Sequence, residues 1–498
     1  MNAWASIAAA GAEAREALLQ AWRQPDTQQQ ALLRSLLSAH QETAFGQQHG
    51  FADIRSVAEF QRRVPLRSDV EFRPWLDRVV AGEPRVLTAD SIIAFESTGG
   101  TAGAKFIPYT AAALQAFRSG VLPWLSYLLT RHPRIADGLA YVAASPVTRT
   151  ARTLPCGVPL GLPSDAAYLG EDLLPALSQV ITVPPPAADL QRWRIGTLAH
   201  LARCRNLSLI SVWSPTFLLE LLESLPQNAE SVLAELQGDA DTSRRLERAL
   251  AASDGLVTHL WPGLQVVSMW MDGASQPYAE RAARLLPGVA LDAKGVLATE
   301  SVITTRFEDM TVPALTSAFF EFVNRSGEVL LPQDLTEGET CRAVITTPGG
   351  LYRYDLGDEF RCRRIAGGVP DLQFIGRAGV VSDLVGEKLT DSFVAAALAP
   401  LPVGASLVPV RLPRPHYELW LDAAESPADA TRTIEARLAH NPQYAYAREL
   451  GQLGALRHVY APGFAQYRAR LLAANGGRLG DAKSCALILD RNQLPVPA

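Results

Sequence analysis

Short apolar runs alternate with longer stretches of helical periodicity through the first two-thirds of the chain. SIIAF (91–95), LAYVAAS (139–145), LSLISVW (207–213) and LQVVSMW (264–270) read as strands. Between them, TAAALQAFRSGVLPWLSYLLT (110–130) and PTFLLELLESL (215–225) read as helices. That alternation predicts layered α/β architecture. The first fifty residues are helical in pattern, and the segment from Ser56 to Glu83 reads as two short helices joined through Pro65. From Phe319 the texture changes to shorter strands with turns: FFEFV, CRAVITT, LYRYDLGDEFRCRRI and DLQFIG. The stretch from Val381 to Asp391 reads as a boundary. Beyond it, SLVPVRL and HYELWLDA are strands and DATRTIEARLAH a helix, a small α+β unit. At 498 residues the chain is long enough for two cores, and the expected division is 1–380 and 381–498.

The totals exclude several classes. Hydrophobic residues make up 48% and charged residues 19%, a compact profile, not a disordered one. A net charge of −5 gives no reason to expect nucleic acid. No apolar run approaches the ~20 residues of a membrane span. The five cysteines are scattered and lack CxxC spacing, and the eight histidines form no HxxxH pair, so a cytoplasmic chain without a His/Cys metal site is expected.

Of 46 Lys plus Arg, only four are lysines: Lys105, Lys294, Lys388 and Lys483. Each sits in a glycine-containing stretch. Lysine offers a compact ammonium where arginine brings a wide fork, so these four mark places where arginine would not serve. The first stretch is STGGTAGAK (97–105), after a strand and ahead of a helix. That order suits phosphate binding: glycines admit the backbone, hydroxyls and N–H groups donate, and the lysine neutralises charge. It is not a Walker A loop, because Ala104 stands where a glycine is required and Phe106 follows the lysine.

The remaining motifs carry milder chemistry. In LDAKGVLATES, Thr299–Glu300 offers a carboxylate that suits Mg²⁺ against phosphate oxygens, or a solvated strand end. In YRYDLGDEFRC, Asp358 on a tight turn suits ribose hydroxyls, although LGD is also ordinary hairpin chemistry. FIGRAGVVSDLVGEKLTD places Arg377 and Lys388 on a hinge or an interdomain linker. NGGRLGDAKSCAL carries Lys483 on a glycine-punctuated loop.

In order, these stretches resemble the adenylate-forming superfamily, and most closely its Gretchen Hagen branch, the auxin-responsive acyl acid–amido synthetases. TAFGQQHGF, WPGLQVVSMWMDG, FFEFV and NPQYAYARELGQLG extend the resemblance along nearly the whole chain. It implies a large adenylate-forming N-terminal domain with layered α/β sheets and a small mobile α+β C-terminal domain. It implies that Ser97, Thr98, Gly99, Gly100 and Thr101 cradle ATP phosphates and that Glu300 binds Mg²⁺, with Thr299 near the α-phosphate. Asp358 would bind ribose with Arg377 nearby. Lys388 would be the hinge lysine that approaches the α-phosphate, and Lys483 the C-terminal lysine; with Lys105 these form the catalytic set. The chain departs from the family in three ways. Gly100 stands where a third hydroxyl is usual, the loop is one residue shorter before Lys105, and Ser301, Val302 and Ile303 follow Glu300 where an adenine-stacking aromatic is expected.

The implied activity is ATP-dependent conversion of a carboxylic acid to acyl-AMP, followed by transfer to an amine, an amino acid first among the candidates. Alternatives are a CoA ligase sharing the first step, an inactive nucleotide- or acid-binding homologue, and a module that loads a carrier protein. Ser145, Val147, Tyr168 and Trp213 lie in segments that could line the acid pocket.

Overall fold

The computed structural model describes residues 3–98, 105–143, 152–162, 165–187, 190–252, 255–377, 381–382, 384, 387, 389–401, 404–410, 415–422, 427–449, 453–468, 486–489 and 494. Helices Ala3–Arg23 and Pro25–His40 open the chain, and Val57–Arg63 and Asp69–Val80 flank Pro65 as expected. The alternating region forms a five-stranded parallel sheet in the order Ile181–Thr182, Leu139–Val142, Leu207–Ser211, Val266–Met269, Ala290–Ala293. Leu207–Ser211 and Val266–Met269 are buried along their length, because helices pack on both faces. A second, antiparallel sheet is built on Phe319–Asn324, Thr340–Thr346, Tyr354–Ala366 and Val369–Arg377. Among the described residues no helix is long and apolar enough to cross a membrane.

Two local expectations change. The glycine-rich stretch does not run from strand to helix. Ile92–Thr98 pairs antiparallel with Lys105–Thr110, down to Thr98 opposite Lys105, so residues 99–104 join the two strands of a hairpin. The helix Ala111–Arg131 starts only after that second strand, capped by Thr110, whose hydroxyl accepts the Ala113 N–H at 3.1 Å. Pro108 hides the strand from a reading of sequence. It is tolerated because Lys105–Thr110 is the edge of its sheet, where no ladder donor is needed.

The LGD segment is likewise no hairpin turn. It lies inside the continuous strand Tyr354–Ala366, at a bulge: Arg342 pairs with Glu359 and Val344 with Asp355, so one intervening residue faces three. Gly357 takes φ +70°, which its missing Cβ permits, and its N–H is held by Asp355 Oδ1 at 2.9 Å. The bulge turns Asp358 inward, 2% exposed, and pairs its backbone with that of Arg377.

The smaller C-terminal domain has its own core. Ser406–Val410, His416–Leu421 and Arg457–Tyr460 form a sheet under helices Asp391–Leu398, Pro427–Leu438 and Pro442–Glu449. Leu389, Val394, Leu398, Leu407, Tyr417, Leu419, Ile434, Tyr444 and Leu487 fill it. Asp391 Oδ1 accepts the Leu487 N–H at 2.8 Å, tying the first helix to a segment near the C-terminus.

Burial lifts the Asp391 carboxyl to about 6, against the opposing pull of the Leu487 N–H and Arg468. Because the folded value lies above the unfolded one, this carboxyl's contribution to stability is fullest below about 4 and is lost as pH rises through about 6. Asp391→Asn keeps the acceptor and removes the charge. Urea unfolding should show the variant about 1–2 kcal/mol more stable than wild type at pH 7, with the two converging near pH 4.

Candidate functional site

Lys105 follows the glycine-rich segment directly and turns its side chain into the protein, 4% exposed. Its Nζ lies 2.6 Å from Glu300 Oε1, 2.6 Å from Tyr354 Oη and 3.7 Å from Asp69 Oδ1. Four segments remote in sequence meet on one ammonium.

Each partner is set by its own local structure. Thr299 and Glu300 form the two-residue turn between strands Leu297–Ala298 and Ser301–Val302. That turn is pinned by Tyr109, whose hydroxyl donates to the Thr299 carbonyl at 2.6 Å. Asp69 is the first residue of helix Asp69–Val80; just before it, the Ser68 N–H donates to the Glu71 carboxylate at 2.9 Å. Tyr354 follows Arg353, held at φ +47°. The Arg353 fork donates to both Glu321 oxygens, at 2.9 and 3.0 Å, and to the Gln61 and Val64 carbonyls at 2.9 and 2.8 Å. A buried bidentate pair therefore fixes where the long strand, and Tyr354 with it, begins.

The electrostatics reinforce one protonation state. Burial alone would lower the Lys105 pKa, but the Glu300 carboxylate and then Tyr354 outweigh it and hold the ammonium well above the ordinary lysine range. Burial, and then the Glu300 charge, push the Tyr354 phenol up as well. Lys105 is thus a cation and Tyr354 neutral over any working pH. A narrow cleft beside Glu300 is lined by Tyr109, Phe117, Ser301, Ser317, Thr347 and Leu351.

The structure therefore brings Lys105, Thr299 and Glu300 together, and sets Asp358 four residues along the strand from Tyr354. The backbones of Ser97, Thr98 and Arg377 are in their strands, but their side chains lie outside the described residues, as do Gly99, Gly100, Thr101, Lys388 and Lys483. Of the acid-pocket candidates, Tyr168 packs on Phe117 with ring centroids 4.7 Å apart, and Ser145 and Val147 lie outside the described residues. Trp213 belongs to another cluster. The buried Lys294 ammonium lies 4.8 Å from its ring centre and 5.4 Å from that of Trp124, and donates to Ser211 Oγ at 2.7 Å and the Val212 carbonyl at 2.9 Å. Sequence reasoning missed Tyr354 and Asp69 as partners of Lys105. The YRYD segment was in view, but nothing local tells a tyrosine that it will face a lysine 249 positions away.

A buried ion pair broken on one side costs about 3–5 kcal/mol, whereas replacing both members by apolar groups is close to neutral. Lys105→Met should lower stability by about that amount in urea unfolding, and Lys105→Met with Glu300→Met should recover most of it.

Known proteins give the context. Residues 14–291 match the GH3 family N-terminal domain and residues 311–377 the GH3 family central domain. The jasmonoyl–L-amino acid synthetase JAR4 of Nicotiana attenuata is 24% identical over 414 residues, spanning 73% of this chain and 71% of that protein. The indole-3-acetic acid-amido synthetase GH3.2 of Arabidopsis thaliana is 20% identical over 429 residues, 74% and 77% of the two chains. The solved structure of AtGH3.15 acyl acid amido synthetase in complex with 2,4-DB superimposes with a TM-score of 0.80 at 18% identity, covering 96% of this chain and 95% of that one. A 2-hydroxyisobutyryl-CoA ligase in complex with 2-HIB-AMP follows the same fold with a TM-score of 0.57 at 14% identity, over 94% and 90% of the two chains. With its N-terminal and central domains both matched, over more than half of its length, the chain belongs to the GH3 family.

Proposed function

We propose that this protein is an ATP-dependent acyl acid–amido synthetase. It joins a small carboxylic acid to an amine, an amino acid being the favoured acceptor, with release of AMP and pyrophosphate. One observation carries the reading: a buried carboxylate, Glu300, is paired with Lys105 immediately behind a segment of hydroxyls and glycines. The relatives named above support it.

The chemistry asks for such a site. A substrate carboxylate oxygen attacks the α-phosphorus and pyrophosphate leaves, so negative charges converge and must be neutralised in place. Ser97, Thr98, Gly99, Gly100 and Thr101 would hold the phosphates through hydroxyl and backbone N–H groups. Mg²⁺ takes one or two protein carboxylates with phosphate oxygens and waters, and Glu300 fits that pattern; bound there, the ion would offset phosphate charge. Lys105 holds Glu300 in place. Thr299 would sit by the α-phosphate, and Asp358 would hold the ribose with Arg377 beside it. Lys388 and Lys483 would supply mobile positive charge. We propose that these two lysines belong to a C-terminal domain, 381–498, that turns against the domain of residues 1–380 between half-reactions. In the second step the amine nitrogen attacks the acyl carbon and AMP leaves. The attacking nitrogen must be neutral and releases a proton as the amide forms; with the acyl group already activated, positioning supplies the rest. We place the enzyme in the cytoplasm, in keeping with its scattered cysteines, and expect no nucleic acid partner.

ATP–pyrophosphate exchange with Mg²⁺ across a panel of carboxylic acids tests this directly. Wild type should exchange with one acid class, and Glu300→Ala should lose about 10²-fold or more. Amino acids offered against CoA then identify the acceptor; thioester formation would favour the CoA-ligase reading that the second structural match raises. ATP binding without exchange by any acid would reduce the protein to a binding homologue.

A further inference from the structure

Beside the Lys105–Glu300 pair stands a buried acceptor with nothing to accept. Asp69 Oδ1 is out of solvent and takes no hydrogen bond from any described residue. Folded proteins satisfy the large majority of such atoms, so an exception calls for a physical reason. Its surroundings supply one. An ammonium carries three N–H donors. Lys105 gives two of them to Glu300 Oε1 and Tyr354 Oη, each at 2.6 Å. Asp69 Oδ1 is 3.7 Å from the same nitrogen, about 1 Å too far for a charge-assisted hydrogen bond.

Asp69 is poorly placed to close that gap itself. It opens helix Asp69–Val80, whose first turn is fastened by the Ser68 N–H and hydroxyl donating to the Glu71 carboxylate at 2.9 and 2.7 Å. Phe72, Leu76 and Val79 hold the rest of the helix in the core. On the other side of the carboxylate, Arg73 Nη2 lies 3.7 Å from Asp69 Oδ2 and donates to no described group. Arg73, Asp69, Lys105 and Glu300 thus alternate in sign, with one tight contact and two loose ones. The lysine is the member free to shift, because its ammonium is a point charge on a flexible stem.

The tight contact conflicts with the metal role proposed for Glu300. An ammonium and a divalent cation on one carboxylate repel each other at close range. An ammonium displaced with no carboxylate to receive it would be a buried unpaired charge, which is costly. Asp69 Oδ1 meets that need with a shift of about 1 Å.

We propose that Asp69 is a positioning residue for Lys105: it is the carboxylate onto which the ammonium moves when a divalent cation takes Glu300. The proposal rests on the adenylation reading and on the metal role that reading gives Glu300.

Two measurements test it, and the first needs no metal. Glu300→Gln removes the charge that holds the lysine, as an arriving cation would offset it, and keeps an oxygen acceptor. In urea unfolding, Asp69→Asn should move the midpoint of wild type by less than about 0.2 M and lower that of Glu300→Gln by about 0.5 M or more. A double variant that fails to fold while both single variants fold is the same result in its extreme form. The second measurement titrates Mg²⁺ in ATP–pyrophosphate exchange at fixed ATP. Asp69→Asn should need about tenfold more Mg²⁺ for its half-maximal rate. An aspartate that only steadies its helix would lower stability equally in both backgrounds and leave the Mg²⁺ requirement alone. If Glu300→Gln itself fails to fold, the Mg²⁺ titration decides. A wild type that exchanges with no acid overturns the adenylation reading and this proposal with it. An active wild type with equal urea shifts, or with a Mg²⁺ requirement unchanged in Asp69→Asn, overturns this proposal alone.

Discussion

One ammonium inside the protein sets the geometry of the large domain's centre. Lys105 is bound to Glu300, 195 residues later, and to Tyr354, 249 residues later. Remove the lysine and a carboxylate is left in a medium that cannot solvate it; remove the glutamate and the opposite charge is stranded. The pair therefore forces the hairpin of residues 92–110, the Thr299–Glu300 turn and the antiparallel sheet into one arrangement. It gains little net energy over an apolar core of the same volume. What it gives is registration, a carboxylate held at one point beside the connection between two strands.

The same logic explains why so few lysines suffice. Both described lysines are buried cations in tight polar sites, Lys105 between carboxylates and a phenol, Lys294 beside Trp124 and Trp213 over the strand that ends at Ser211. A planar guanidinium would need a wider, flatter site in either place. Arg353 shows the converse. Its fork meets Glu321 with two parallel bonds and two carbonyls besides, a pattern no ammonium could match.

Much of this was legible in the sequence where structure is local. The buried parallel strands LSLIS and VVSM and the helices either side of Pro65 follow from runs and periodicity. So do the strands and helix that follow residue 391. What failed was also physical. The strand Lys105–Thr110 goes unread in the sequence, and its Pro108 is tolerated because the strand is an edge. LGD reads locally as a turn, yet Gly357 makes a bulge, and a bulge is defined by its partner strand, Thr340–Thr346, which no local window contains. In the candidate site, Lys105 and Glu300 were singled out by the sequence alone, and the structure pairs them. Tyr354 and Asp69 were not, because their roles arise only when segments hundreds of positions apart are packed together.

The C-terminal domain closes its own core with residues close to the end of the chain. Leu487 bridges to Leu407, the Leu407 N–H donates to the Ala486 carbonyl at 2.7 Å, and the Ile488 N–H donates to the Leu407 carbonyl at 3.0 Å. Leu487 also satisfies Asp391, some hundred residues earlier. During synthesis the large domain has its whole core outside the ribosome well before that closure is possible, and domains fold as units from the N-terminus. The small domain must wait as an open half-core until residues 486–488 emerge. Its strand Ser406–Val410 spends that interval with one edge unpaired, which makes the newborn chain most exposed to misassembly in the region that carries two of its four lysines.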